Sequence, residues 1–469
     1  MNPCLTIGSL WLALLVPGAG SLAQDGQAAQ TKPEVPPALN VSGYQSSAGR
    51  LIRAATETDF AFRRLAELCD RFGPRFSGTT NLEAAIDWAL AEMKADGLEN
   101  VHSEDVLVPH WVRGEESAEI LKPRYQKLPM SGLGGSVATP KKGITAPVLV
   151  VRSFEELSQR ADEAHGRIVL FNAPFVNYSQ TVTYRTRGAS QAAKAGAVAS
   201  LVRSITPFGL QTPHTGAMTY EAGLPRIPHA AITLEAADQM QRWQERGEPV
   251  VVRLKMSAKL LPDAHSRNVV AEIVGRERPE EIVLVSGHLD SWDISPGAID
   301  DGGGVLSAWE AVRLMHTLGL RPRRTVRVVL WTNEENGLRG ARNYAERHRT
   351  ELPKHVLAIE SDRGVFQPTG FTFQGGGQAR GIIAEVGALL EGIQSNQLTR
   401  GGGGADVAQL SPAGVPVMEL TVEDSKYFWF HHTTADTPDK VNPEELSRCA
   451  AAMAVMAYVV ADLPESLPR

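Results

Sequence analysis

Three apolar runs in the second half of this 469-residue chain each end on a histidine or a carboxylate, and this arrangement limits the possible folds more than any other feature. Residues 282–286 lead into Gly287-His288-Leu289-Asp290, residues 325–331 into Thr332-Asn333-Glu334-Glu335, and residues 356–359 into Glu360-Ser361-Asp362. Runs rich in Val, Ile and Leu, with no polar alternation, are expected of strands buried on both faces of an α/β sheet. Residues 269–274 and 415–420 have the same character. Helical patterns fall between the runs, at 303–318, 338–348 and 378–391. A final helix starts with Asn442 as its cap and Pro443 at its first position and runs to about Asp462. Such alternation predicts one α/β domain. Ligands of open α/β sheets bind at the C-terminal ends of the strands, where these polar residues fall.

The first half reads differently. Residues 1–24 have the layout of a secretory signal peptide: an apolar run, Pro17-Gly18, then small residues around Ala23. The run is too short to span a bilayer. Residues 25–45 are polar and Pro-bearing, a linker or pro-segment. From 46 to 98 the pattern is helical. Its clearest helix carries Leu82, Ala85, Ile86, Ala89, Leu90 and Met93 on one face, with a capping box from Thr80 to Glu83 and a stop at Gly97. Residues 110–262 show short β-type runs at 146–151, 167–171, 197–202 and 230–233, with a small-residue helix at 188–195 closed by Gly196. This predicts a β-rich accessory domain. Cys69 and Cys449 have no metal-ligand spacing and are expected to be buried apolar residues. A formal net charge of −6 gives no reason to expect nucleic acid or an anionic membrane as partner.

The polar residues past the strands suit one chemistry. Amide hydrolysis at neutral pH needs a strong nucleophile and a polarised carbonyl, and two Zn²⁺ about 3.5–4 Å apart supply both. Such a pair takes two imidazoles and about three carboxylates, one of them bridging, and leaves a position open. One further carboxylate must accept the water proton. The sequence offers His288, Asp300, Glu335, Asp362 and His432, with Glu334 left as the base. Asp290, two residues past His288, is placed to accept the imidazole's other N–H. Either of the adjacent His431 and His432 fits the last ligand position by spacing.

These segments, with Gly297-Ala298-Ile299-Asp300-Asp301-Gly302-Gly303-Gly304, Tyr427-Phe428-Trp429-Phe430-His431-His432 and Gly73-Pro74-Arg75-Phe76-Ser77-Gly78, resemble the co-catalytic zinc aminopeptidase and carboxypeptidase family. The resemblance runs from about residue 46 to 469. It implies an α/β mixed-sheet zinc exopeptidase domain of the phosphorylase/hydrolase-like kind, residues 46–110 with 262–469, interrupted by a β-rich protease-associated domain, residues 111–261. It implies one zinc on His288 and Asp362, a second on Glu335 and His432, Asp300 bridging, and Glu334 as general base. It also implies a cis peptide between Asp300 and Asp301, a short-peptide substrate and a homodimer; the signal-peptide layout of residues 1–24 predicts a secreted or periplasmic enzyme. The spacing to Asp436 agrees with the resemblance in favouring His432 over His431. Tyr427 and Asp406 are candidates for contact with substrate or oxyanion. The glycine run at 401–404 departs from the pattern it resembles, which leaves side-chain preference open. Two rival readings are a non-catalytic binding protein on the same scaffold and a zinc acyltransferase, and the full two-metal residue set argues against both.

Overall fold

The unalternating apolar runs become the centre of an eight-stranded mixed sheet. The computed structural model describes residues 41–469, so the expected signal segment 1–24 and nearly all of the expected linker 25–45 lie outside the described residues. The strands of this sheet are β1 (Glu99–Val112), β2 (Lys259–Ile273), β3 (Arg278–His288), β4 (Arg324–Trp331), β5 (His355–Glu360), β6 (Pro368–Gln374), β7 (Gln397–Arg400) and β8 (Val417–Val422). Their order is β1-β2-β4-β3-β5-β8-β6-β7. The core of the sheet is parallel: β3 lies between β4 and β5, and β8 follows β5. β2 pairs antiparallel with β4.

Val283, Leu284 and Val285 on β3 and Val326, Val328 and Val329 on β4 are fully buried. Each contributes roughly 1.5–3 kcal/mol relative to exposure. Burial on both faces explains why these strands carry no polar alternation. The helices Gly303–Thr317 and Pro443–Asp462 pack on each other and on β3. Asn442 caps the latter, accepting from the Glu444 N–H at 2.8 Å and the Glu445 N–H at 3.4 Å.

The cap of the helix Thr80–Ala95 differs from expectation. Thr79, not Thr80, accepts the Leu82 N–H, at 3.3 Å. An N-cap needs extended backbone, and Thr79 has φ −93° and ψ 153°. Glu83 turns away to Arg267, at 3.0 Å. Gly97 follows the helix with φ +79°, a left-handed conformation that favours glycine.

The segment between β1 and β2 builds a second eight-stranded sheet, from strands between Glu116 and Met256. Sequence patterning predicted a β-rich unit here. The helix expected at 188–195 spans Thr183–Lys194, and the structure adds a second 12-residue helix, Leu234–Glu245. Alternate strand residues feed separate cores: Val148, Val150, Leu170 and Leu201 pack with the second helix, and Leu149, Val151, Phe171 and Val202 with the first. Among the described residues, Cys69 and Cys449 are buried and unbridged. Among the described residues, no helix is long and apolar enough to cross a membrane.

Candidate active site

β3 ends on His288 and β5 on Glu360, so side chains from two parallel neighbours emerge at one sheet edge. The loop from His288 to the helix Gly303–Thr317 returns to this edge. It is braced by Arg75, a fully buried guanidinium that donates to the Leu289 carbonyl at 2.7 Å and the Gly297 carbonyl at 3.2 Å, and also bonds the Pro296 carbonyl. The Asp300–Asp301 peptide is cis.

Asp300 is the hub. Its Oδ1 lies 3.2 Å from His288 Nε2 and its Oδ2 lies 3.4 Å from His432 Nε2. His288 Nε2 is also 3.4 Å from Asp362 Oδ1, and His432 Nε2 is 3.1 Å from Glu335 Oε2. Two imidazole–carboxylate pairs thus flank one shared carboxylate. Burial alone would raise Asp300, but the two imidazoles hold its carboxyl below the usual range. Burial pushes the Glu335 carboxyl well up, and Asp300 beside it adds to the effect. Burial pulls His432 down to about 3.

Each imidazole is oriented by its far nitrogen. His288 Nδ1 donates to the Asp290 carbonyl at 2.9 Å, with the Asp290 carboxylate 3.8 Å away. The sequence reading gave that role to Asp290 without specifying the atom, and it is the backbone carbonyl that takes it, not the side chain. Instead, the Asp290 carboxylate accepts the N–H groups of Glu334 and Glu335, at 3.0 and 3.3 Å, and so fixes the turn that carries both. His432 Nδ1 donates to the Thr215 carbonyl at 3.1 Å, and the Thr215 N–H returns a bond to the His432 carbonyl at 2.9 Å. His432 has φ +61°, unusual for a non-glycine residue, and this two-point contact with the second sheet holds it there.

Neighbouring candidates separate by their bonds. Asp301 lies near His288 and Asp362, but its carboxylate already accepts the N–H groups of His288 and Gly304, at 3.0 and 3.1 Å. His431 stacks on His432 with ring centroids 3.6 Å apart, and its Nε2 stays 3.8 Å from Asp300. Asp436 accepts the N–H groups of Ile299 and Asp300, at 2.6 and 3.1 Å, which aims Asp300.

The donor set fits divalent metal binding. With Nδ1 donating to a carbonyl, the lone pair of His288 lies on Nε2, which is buried without a hydrogen-bond partner, as is Glu335 Oε1. His288, Asp300 and Glu335 present ligand atoms within 4.8 Å of one another, as do Asp300, His431 and His432.

A cleft of about 400 Å³ opens over this cluster, lined by Asp300, Glu334, Asp362, Tyr427 and His432 among others. Burial lifts the Glu334 carboxyl to about 8; nearby Asp362, Asp290 and Asp300 add to the rise and His288 opposes it. Tyr427 lines the cleft and packs against His431. Asp406 does not reach it. Its carboxyl is fully buried beside Glu360 with no hydrogen-bond partner, and Ala405 lines the cleft in its place. Packing against Glu360 turns Asp406 inward. Glu334 and Glu335 also line a second cleft, between Trp111, Met218 and Leu260. Thr215 and Arg185, both on the second sheet's side of the first cleft, carried no sequence signal, because only long-range packing brings them there.

The model of peptidase family M28 matches residues 268–457. A peptidase M28 precursor from Shewanella amazonensis SB2B superposes with a TM-score of 0.88 at 36% identity, covering 91% of this chain and 99% of that one. The chain belongs to peptidase family M28. Within it, the chain is similar to carboxypeptidase Q: 51% identical to that of Homo sapiens over 87% of each chain, and 49% identical to that of Mus musculus over 92% of each. A zinc aminopeptidase from Bacillus subtilis shares the fold, with a TM-score of 0.65 at 20% identity.

Proposed function

We propose that this peptidase is a two-zinc exopeptidase that hydrolyses dipeptides or short peptides, of the carboxypeptidase or dipeptidase type. One observation carries the reading: the two oxygens of Asp300 each face a different histidine, at 3.2 and 3.4 Å. His288 and Asp362 would hold one zinc, Glu335 and His432 the other, with Asp300 shared. Two zinc ions there supply Lewis acidity toward a carbonyl and make water acidic at neutral pH.

Glu334 takes the water proton on its carboxylate and later delivers it to the leaving amine. It suits this task because it lines the cleft yet makes none of the imidazole contacts that define the ligand set. The Asp290 carboxylate holds Glu334 at its backbone, leaving the side chain free to accept and release the proton. Asp436 and Thr215 orient Asp300 and His432 before substrate arrives.

The reading treats residues 46–110 and 262–469 as the peptidase unit and 111–261 as an accessory unit whose Thr215 completes the site. Secretion after loss of residues 1–24, supported by their signal-peptide layout, and a homodimer, supported by the resemblance of residues 46–469, belong to the same proposal. Aminopeptidase action is a second reading, supported by the fold shared with a zinc aminopeptidase from Bacillus subtilis.

The test is Glu334→Gln, with zinc content measured beside turnover of dipeptides carrying free or blocked ends. Two zinc per chain and a loss of turnover of roughly 10²–10⁴-fold are expected. Loss of zinc in that variant, or undiminished turnover, would remove Glu334 from its role.

A further inference from the structure

The second cleft, also about 400 Å³, has a volume that suits a small ligand. The turn 334–338 lies between the two clefts: Glu334 and Glu335 line both, and Asn336, Gly337 and Leu338 line the second. Of the five residues assigned to zinc, Glu335 alone reaches the second cleft. Its other walls are largely apolar. Trp111 and Leu260 are cross-strand partners on β1 and β2, so their side chains share one face of the sheet. The buried indole of Trp111 spends its N–H inside the fold, on the Ser136 carbonyl at 2.9 Å, and meets the cleft with carbon. Met218 comes from the accessory unit, where its N–H donates to the Gly134 carbonyl at 2.9 Å. Leu260 is 66% exposed, so apolar surface stands open at the mouth. Arg342, also exposed, donates to Gln409 at 3.3 Å.

The position of the base decides which part of a peptide can reach this space. The carbonyl under attack lies over Asp300, in the first cleft. The expelled amine takes its proton from Glu334, so the residue that carries the amine lies against Glu334. Its side chain is the part of a short peptide that stands beside the turn dividing the clefts. We propose that the second cleft is the pocket for the side chain on the carboxyl side of the scissile bond, and that it selects apolar side chains. Trp111, Met218 and Leu260 shed water against an aliphatic or aromatic group, which favours such a residue over glycine or a charged one. This inference rests on the peptidase reading and deepens it by naming a substrate class. Through Met218 it also gives the accessory unit a part in selectivity.

The experiment measures kcat/KM of the zinc-loaded wild type, Leu260→Asp and Thr219→Trp on Ala-Gly, Ala-Leu, Ala-Glu, Gly-Ala and Leu-Ala. Leu260→Asp charges the apolar mouth, and Thr219→Trp crowds the same cleft from an exposed position. The wild type should favour Ala-Leu over Ala-Gly roughly 10- to 200-fold, the scale of discrimination in an apolar pocket. Each variant should lower that ratio about 10-fold without moving the ratio of Leu-Ala to Gly-Ala. Both positions are exposed, so the substitutions leave the packed core alone; should one variant fail to fold, the other decides. Equal values for Ala-Leu and Ala-Gly in the wild type overturn the proposal, as does a preference for Ala-Glu. Variants that keep the wild-type ratio, or that shift the ratio of Leu-Ala to Gly-Ala instead, also overturn it. Should the wild type cleave nothing, the peptidase reading fails, and the pocket is judged by calorimetric binding of Ala-Leu and Ala-Gly. A preference for Ala-Leu that Leu260→Asp removes upholds the pocket; equal affinities, or a preference that survives the substitution, overturn it.

Discussion

His288 shows how a single residue prepares this site for a metal. With Nδ1 tied to the Asp290 carbonyl, only Nε2 is available, and it points between Asp300 and Asp362. In the metal-free protein a proton occupies this position: burial opposes the charge, but Asp362 and Asp300 hold the imidazole well above its usual value. Burial likewise favours the protonated form of the Glu335 carboxyl. Ligands must shed such protons before they bind zinc. The raised ligands are protonated below their pKa values, so zinc affinity should rise with pH, and binding should release protons. Calorimetry in buffers of different ionisation enthalpy measures both quantities. An affinity that stays flat from about pH 6 to 8 would contradict this protonation scheme.

At the scale of elements, the long strand β1 is anchored by a charge that patterning does not reveal. Glu104 is buried on β1 and accepts from His348 Nε2 at 2.6 Å, just past the helix Arg339–Arg347. Burial alone would raise its carboxyl, yet hydrogen bonds from His102 and His348 bring it down to about 2. An acid whose folded pKa is depressed stabilises the fold above its unfolded value, near 4.3, and loses that contribution as pH falls through about 2. Glu104→Gln should therefore cost about 1–3 kcal/mol near neutral pH. The gap from the wild type should narrow between about pH 4 and 2. Urea midpoints across that range test it, and a pH-independent difference would assign the loss to packing.

The whole molecule is joined where the second sheet meets the catalytic edge. Trp292, fully buried, stacks on Phe76 with centroids 4.8 Å apart and packs at 5.5 Å from His432. Gly134, in the second-sheet segment, leaves no room there: a Cβ would overlap the Trp292 ring. Gly134→Ala should lower stability by about 1–3 kcal/mol, the usual cost of overpacking. By displacing the ring that backs His432, it should also weaken zinc retention. Thermal melting and zinc content after dialysis measure the two effects. A stability loss with zinc retention unchanged would uncouple the contact from the site.

Much of the catalytic edge was legible in the chain, because its chemistry is local to strand ends. A buried strand must be apolar to its last residue, so His288, the Glu334-Glu335 pair and Asp362 stood out where the runs stopped. The helix caps at Asn442 and Gly97 were legible for the same reason, while Thr79 displaced Thr80 through one backbone angle. In the accessory segment the small-residue helix at 188–195 was legible and the helix Leu234–Glu245 was not; the two helices carry cores on both faces of the sheet, and short apolar runs do not distinguish that arrangement from a β-rich unit. The inward turn of Asp406 and the division of labour between the carbonyl and carboxylate of Asp290 depend on rotamers and packing. Thr215 and Arg185 reach His432 from 217 and 247 residues away. The sequence by itself determined which histidines and carboxylates stand at the ends of the buried strands. Tertiary structure alone decided which groups orient them, since a backbone carbonyl acquires its meaning only from what folds against it.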